Sequence, residues 1–417
     1  MHQCRHAMPT HAPAETSTPP RVGPGFVALL TLAYVGAFSA FVPLLSIIVP
    51  LQAQQVSMVD KVGLLGVATA WGAGVASVAN LAAGWGSDRT RSVWGRRRPW
   101  ILLGLIGVLA AYGLIGAART PTGLIVGVIA FQLGFNLMFA PLTAILADRV
   151  PDAQKGRVAA FLGLGAPMGA ATGVLIADPI LPDAGARLAL LGVIVVACVV
   201  PLLLAWKEPV VRTRETSKPS RLHFTADFGF AWMSRFCFQI AASVINAFML
   251  FYLADHAHYA AQFPGQTAES GLARLIALST VLIVASGFVG GLLSDRLRSR
   301  RLFILAASVI LAGGLLIFAL WPQWPGPLIG YVLYGVGFGL YTTVDAALVA
   351  QVLPSRRDAA RDLGVMNLTN TLPAVVAPML ALLALGPERS DWPSLMLVSA
   401  GAALVGGLLV MAVRHVR

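Results

Sequence analysis

Charged side chains are what this sequence has least of. Only 12% of its 417 residues are Asp, Glu, Lys or Arg, about half of the roughly 25% that a soluble protein carries. The shortage excludes a string of water-soluble domains. With 57% hydrophobic residues and a mean hydropathy of +0.77, it predicts a polytopic membrane protein. Acidic residues are scarcer than basic ones, 18 against 30, for a formal charge of +12. The excess forms no basic stripe of the kind that binds nucleic acid. It recurs in short clusters between apolar runs, as loops on one side of a membrane do, so no nucleic-acid partner is expected. Cysteine is also sparse: Cys4, Cys198 and Cys237 are odd in number, and two of them fall inside apolar runs, which leaves no disulfide framework and no metal-binding spacing. A phosphate-binding glycine loop, a nucleotide fingerprint and a nucleophile–base set are missing too. The sequence thus predicts neither an enzyme nor a cofactor or metal, and gives no support to ATP-driven transport.

What is present is a series of hydrophobic segments. A helix needs about 20 apolar residues to cross the hydrocarbon core, and twelve stretches qualify. They are 25–50, 61–86, 99–118, 122–147, 157–178, 187–206, 226–253, 271–293, 302–321, 325–353, 362–385 and 394–413. The fold class expected is an all-α membrane protein with twelve transmembrane helices in two pseudo-symmetric six-helix bundles. The longest polar connection falls at the midpoint. Residues 1–24, polar and lacking a signal-peptide pattern, read as a disordered cytoplasmic tail. Residues 25–206 form the first bundle, 207–224 a cytoplasmic linker, and 225–417 the second bundle. Placing both termini in the cytoplasm puts 24 basic residues on that side and five on the other, with Arg235 inside a helix. The positive-inside rule favours this orientation strongly.

One stretch organises the rest: Gly84–Trp100, GWGSDRTRSVWGRRRPW, which holds five arginines, one aspartate and three glycines between two apolar segments. Gly84 and Gly86 are expected to let another backbone approach, and Asp88 to be held by neighbouring arginines. A shorter copy, GGLLSDRLRSRR at Gly290–Arg301, places Asp295 207 residues after Asp88, an offset of about half the chain. The plain reading of either stretch is a solvated basic loop that sets topology; the repeat argues for more.

Gly84, Asp88, Arg89, Gly95, Arg96 and Arg97 resemble the loop signature of the major facilitator superfamily, between its second and third helices. The spacing from Asp88-Arg89 to Gly95–Pro99 is similar to one branch, the sucrose and the glycoside–pentoside–hexuronide cation symporters. Asn136, Pro141, Ala144–Asp148 and Arg157–Ala159 also resemble that branch. The resemblance implies a central cavity flanked by segments 1, 4, 7 and 10, alternating access, and a gating role for the loop and for its echo at Gly290, Asp295 and Arg296. The sucrose carriers place a carboxylate and an arginine on the fourth segment. Here Gln132 and Thr143 stand in their places.

Ionised groups at mid-membrane cost at least ~2.5–3.5 kcal/mol on insertion scales, so they mark function by default. Two lie clearly inside segments, Arg235 on the seventh and Asp345 on the tenth. Both fall roughly 12–14 Å from the same boundary at ~1.5 Å per residue, which suggests an ion pair. Such a pair either fixes packing alone or titrates and binds solute. Polar and aromatic stripes at helical spacing extend the candidate cavity: Arg235, Gln239 and Asn246; Tyr334, Phe338, Tyr341 and Asp345; Gln132, Asn136 and Thr143. For each residue, interhelical hydrogen bonding is the alternative. Tyr34, Asn367, Asn370, Trp71 and Trp232 are further candidates, while His256 and His258 read as solvated. The expected function is secondary transport of a small polar, sugar-like solute, coupled to H+ or Na+. A drug or metabolite exporter and a non-transporting receptor are the alternatives. The partners expected are the lipid bilayer and the small-molecule solute, the oligomeric state stays open, and the compartment expected is the plasma or cytoplasmic membrane, with both termini cytoplasmic.

Overall fold

The structure is a computed structural model, and it describes residues 21–177, 183–206, 225–297, 299–352 and 359–414. The linker 207–224 and most of the tail 1–24 lie outside the described residues. Among the described residues, twelve long helical segments appear in the expected order, with a single-turn helix at Tyr259–Gln262 between the seventh and eighth. α1 (Pro24–Val56), α2 (Lys61–Arg89), α3 (Arg98–Ala117) and α4 (Pro121–Arg149) come first. α5 follows in two pieces, Asp152–Leu162 and Gly165–Ile176, then α6 (Ala184–Ala205). The second half holds α7 (Ala226–His256), α8 (Ala268–Leu297), α9 (Arg300–Leu320), α10 (Gly326–Val352), α11 (Ala359–Ala384) and α12 (Trp392–Val410).

Among the described residues, ten helices are long and apolar enough to cross a membrane, and α5 stands apart in two shorter pieces. In α5 the cause is local. Gly163 and Gly165 flank Leu164, and Pro167 has no N–H to give the carbonyl of Gly163, so the helix breaks there. α11 runs 26 residues as one helix and carries Pro373 and Pro378 inside it. α1 absorbs Pro43 differently, through a π-turn at Leu44–Ile48 that re-routes the interrupted ladder. Asp60, Thr120, Asp183, Thr225 and Asp391 each accept an N–H of the first turn of the helix that follows, which satisfies donors that helix N-termini leave open.

The packing shows one pattern twice. α4 lies on α2 and α3, α6 on α1 and α3, and α5 on α1. In the second half α10 lies on α8 and α9, α12 on α7 and α9, and α11 on α7. Adding six to each label converts one set into the other. The two sets meet where α2 packs on α11 and α5 on α8, and the same shift exchanges those seams. Rows such as Trp71, Val78, Leu81 and Trp85, each more than half exposed, cover the outside. That surface suits hydrocarbon rather than water.

The two ends differ. One carries Arg96–Arg98 and Arg300–Arg301 and is called the basic end. At the far end the halves touch: Gly66 of α2 faces Leu382 of α11, and Leu51 of α1 packs with Ile47, Ala177 and Ala273. Two ion pairs join the halves there. Lys61 meets Asp255 at 2.7 Å, and Asp60 meets Arg389 at 3.6 Å.

Candidate functional site

α7 supplies the centre of the polar cluster, and its packing decides which face is free. Ser234 donates its hydroxyl to the carbonyl of Gly406 on α12 at 2.6 Å. A Cβ at Gly406 would come within 2.7 Å of the Ser234 carbonyl oxygen, so only glycine permits this approach. With that side of α7 pressed on α12, Arg235 and Gln239 point toward α10 and α11.

Arg235 Nη1 donates to Asp345 Oδ2 of α10, and the two form an ion pair. Arg235 Nη2 donates to Asn370 Oδ1 of α11 at 3.0 Å, and Gln239 Nε2 donates to that same oxygen at 3.1 Å. Tyr341, one turn before Asp345, donates its hydroxyl to Asp345 Oδ1 at 3.2 Å. Both carboxylate oxygens are therefore engaged, and Asp345 is 4% exposed. Its desolvation is offset by a cation and a hydroxyl, the arrangement that allows an ionised group to stay in a low-dielectric interior. The Tyr341 ring stacks on Phe238, with centroids 3.6 Å apart and planes 7° from parallel. One layer farther from the basic end, Asn246 donates to the Tyr334 hydroxyl at 3.3 Å, and Tyr334 stacks on Phe338 at 5.5 Å.

The stripe on α4 is oriented otherwise. Asn136 accepts from Asn80 of α2 at 3.0 Å and donates to the carbonyl of Gln132 at 2.8 Å. Gln132 lies against Gly72 of α2, and Thr143 bonds the carbonyl of Ala140 in its own helix. The face of α4 turned to α1 carries an aromatic ladder instead: Phe131, Phe135 and Phe139 stack in sequence, and Tyr34 and Phe38 meet Phe139 edge-on. The structure thus brings Arg235, Gln239 and Asp345 together with Asn370, and seats Gln132 and Asn136 in the α2–α4 seam. Asn80 was missed as a candidate; a lone amide in the apolar run of α2 was its only signal.

The remaining candidates separate cleanly. Trp71 is 63% exposed on the outer row of α2. Trp232 donates to the Val365 carbonyl of α11 at 3.0 Å. The side chains of Asn367 and Asp295 lie outside the described residues. His258 adopts a left-handed φ of 47°, and His256 tilts against Tyr252 at 5.4 Å. Among the described residues no group of three or more His, Cys, Asp or Glu could hold a metal.

At the basic end the hub of the arginine loop is Arg97, only 4% exposed. It pairs with Asp88 at 2.5 Å and with Asp148 of α4 at 2.9 Å, and bonds Ser87 Oγ at 2.5 Å. Arg96 meets Asp148 at 2.7 Å, and Arg89 lies over the Trp85 ring at 3.5 Å. Gly95 takes a φ of 94°, which favours glycine. The expectation for Gly84 and Gly86 needs correction. Gly84 has open space where a Cβ would sit, and Gly86 makes room for the Trp100 ring, not for a backbone. In the second copy, Gly290 lies against Leu340 and Arg296 is exposed. Arg300 and Arg301 donate to the carbonyls of Ala347 and Val413, each at 2.6 Å. Arg98 reaches the Leu203 carbonyl in the same manner.

A family model described as the Major Facilitator Superfamily matches residues 27–263 and again 231–417. The chain belongs to the major facilitator superfamily. Two overlapping matches that together span nearly all of it agree with the twofold packing. No curated protein matches the chain. Solved structures share the fold at low identity. A bacterial homologue of the human lysosomal transporter Spinster, described as inward-facing and occupied, is 14% identical with a TM-score of 0.71, over 93% of this chain and 96% of that one. The nucleoside transporter NupG is 13% identical at 0.68, over 93% and 98%. The POT family transporter PepTSo is 11% identical at 0.72, over 94% and 97%. At these identities the likeness speaks for the fold alone.

Proposed function

We propose that this member of the superfamily is a secondary active transporter that moves a small polar, sugar-like solute by alternating access, coupled to a cation. The observation that carries the proposal is the Arg235–Asp345 pair and its amide partners Gln239 and Asn370, set between α7, α10 and α11. Asp345 is the candidate coupling group. Its protonation would remove the charge that holds Arg235, free the guanidinium for solute, and tie the two fluxes together. Phe338, partly exposed beside Tyr334, supplies a flat apolar face of the kind on which sugar rings stack. The loop motif and the Asn136–Asp148 stretch favour the glycoside–cation symporter branch.

The basic end is assigned to the cytoplasm of a plasma or cytoplasmic membrane, with bundles at 25–206 and 225–417 joined through 207–224. With that orientation, the contacts at the far end close the outer side, which describes an inward-facing state. Asp88, Arg96 and Arg97 then brace α2, α3 and α4 against one another as one rigid rocking unit.

Vesicles reconstituted with the purified protein test the reading. Saturable sugar uptake that a protonophore or sodium removal abolishes is the expected result. Flux that survives collapse of every ion gradient would mean uniport, and no flux with any solute would leave a receptor. Extrusion of apolar drugs in place of uptake would favour the exporter.

A further inference from the structure

The hydrogen-bond network around Arg235 fixes more than an ion pair. A guanidinium only donates, so the Asn370 atom that accepts from Arg235 is its oxygen. Gln239 bonds that same oxygen, so its amide must present nitrogen there and turn its own oxygen away. Among the described residues that oxygen, Gln239 Oε1, is buried and meets no partner, and the same holds for Arg235 Nε. One buried acceptor and one buried donor thus stand a single turn apart on α7, both unanswered. Unanswered buried groups in a native structure call for an explanation. Asn370, which bridges them, is itself exposed although it faces α7 and not the outer surface, so open space adjoins Asn370, one side chain away from the two buried atoms. The charge at this place sums to zero, because Arg235 and Asp345 cancel.

Resting on the transporter reading above, we infer that the solute is neutral and offers, side by side, an acceptor for Arg235 Nε–H and a donor for Gln239 Oε1. A sugar hydroxyl pair and the edge of an amide or lactam both have this pattern. A carboxylate has no donor, and an ammonium has no acceptor. While Asp345 is ionised, either ion would also bring an uncompensated charge into a site that is already balanced. Fit to this edge, not net charge, would then select the solute.

The test uses the purified full-length protein and thermal unfolding with matched probes: glucose against glucuronate, nicotinamide against nicotinate, 2-pyrrolidinone against pyroglutamate. At least one neutral member should raise Tm by about 2–4 °C at saturation while its charged counterpart does not. Gln239→Leu should cancel that rise. The inference is overturned if a charged probe stabilises more than its neutral partner, if no neutral probe stabilises, or if Gln239→Leu keeps the full response. These outcomes are separable from the fate of the transport reading. Gradient-dependent flux of an anion in vesicles would sink the inference and keep the transporter, whereas neutral-probe binding without flux would do the reverse.

Discussion

Asp345 shows how one side chain can be structural and functional at once. Removing its charge by Asp345→Asn leaves the half-buried Arg235 without a counter-charge; breaking a fully buried pair costs about 3–5 kcal/mol, which sets the upper bound here. The double variant Arg235→Gln/Asp345→Asn should recover most of that loss, because it leaves no lone charge. It should not recover coupled transport. Thermal unfolding and pH-dependent flux, measured on both variants, check the two halves of this expectation. Normal coupling in the double variant would demote the pair to a packing device. Tyr341→Phe is a milder probe: it keeps the stack on Phe238 and removes one hydrogen bond to a carboxylate, worth about 1.5–3 kcal/mol. Its expected signature is a shifted pH profile for flux with little change in expression. The depth of Arg235 and Asp345 in their segments was enough to suggest that they meet. Asn370 was harder to weigh, because an amide gives no sign in sequence of which neighbour it serves.

At the scale of elements, the two cross-bundle ion pairs make a clasp at the far end. Asp60 and Lys61 are consecutive residues at the start of α2, yet they reach opposite partners, Arg389 before α12 and Asp255 at the end of α7. Partly exposed pairs are worth about 0.2–1 kcal/mol each, so losing both changes a two-state balance up to about thirtyfold. Lys61→Asp should therefore raise labelling of far-end positions that face the seam, and Asp255→Lys added to it should restore the original pattern. The same small magnitudes suit a gate, which must open on every cycle. Arg97 occupies the opposite regime. It is buried and bonded to Asp88, Ser87 and Asp148, and Arg97→Lys loses the forked geometry that serves all three. A drop in unfolding temperature larger than that of Arg89→Lys is expected, since Arg89 is exposed and lies over the Trp85 ring.

For the whole molecule, the packing that repeats after six helices is the feature sequence foretold best. Hydropathy counts residues against a fixed thickness, and the echo of Asp88 in Asp295 marked the repeat. The break in α5 was less legible, although Gly163, Gly165 and Pro167 spell it out locally, because a hydropathy window averages across them. The orientation of Gln132 and Asn136 was not legible at all. A polar stripe fixes a face of its own helix, while the neighbour that meets this face is chosen by every other helix in the bundle. Gly66 and Leu382 offer a test at this scale. Cysteines at both positions, in a chain freed of Cys4, Cys198 and Cys237, should crosslink the halves at the far end. Transport should stop on oxidation and return on reduction. The Asp60–Lys61 step carries one further consequence. Since a single dipeptide grips both partners, any twist of its turn lets go of the two together, so departure from the closed form would be all-or-none, without a half-unlatched stage in which solute leaks past.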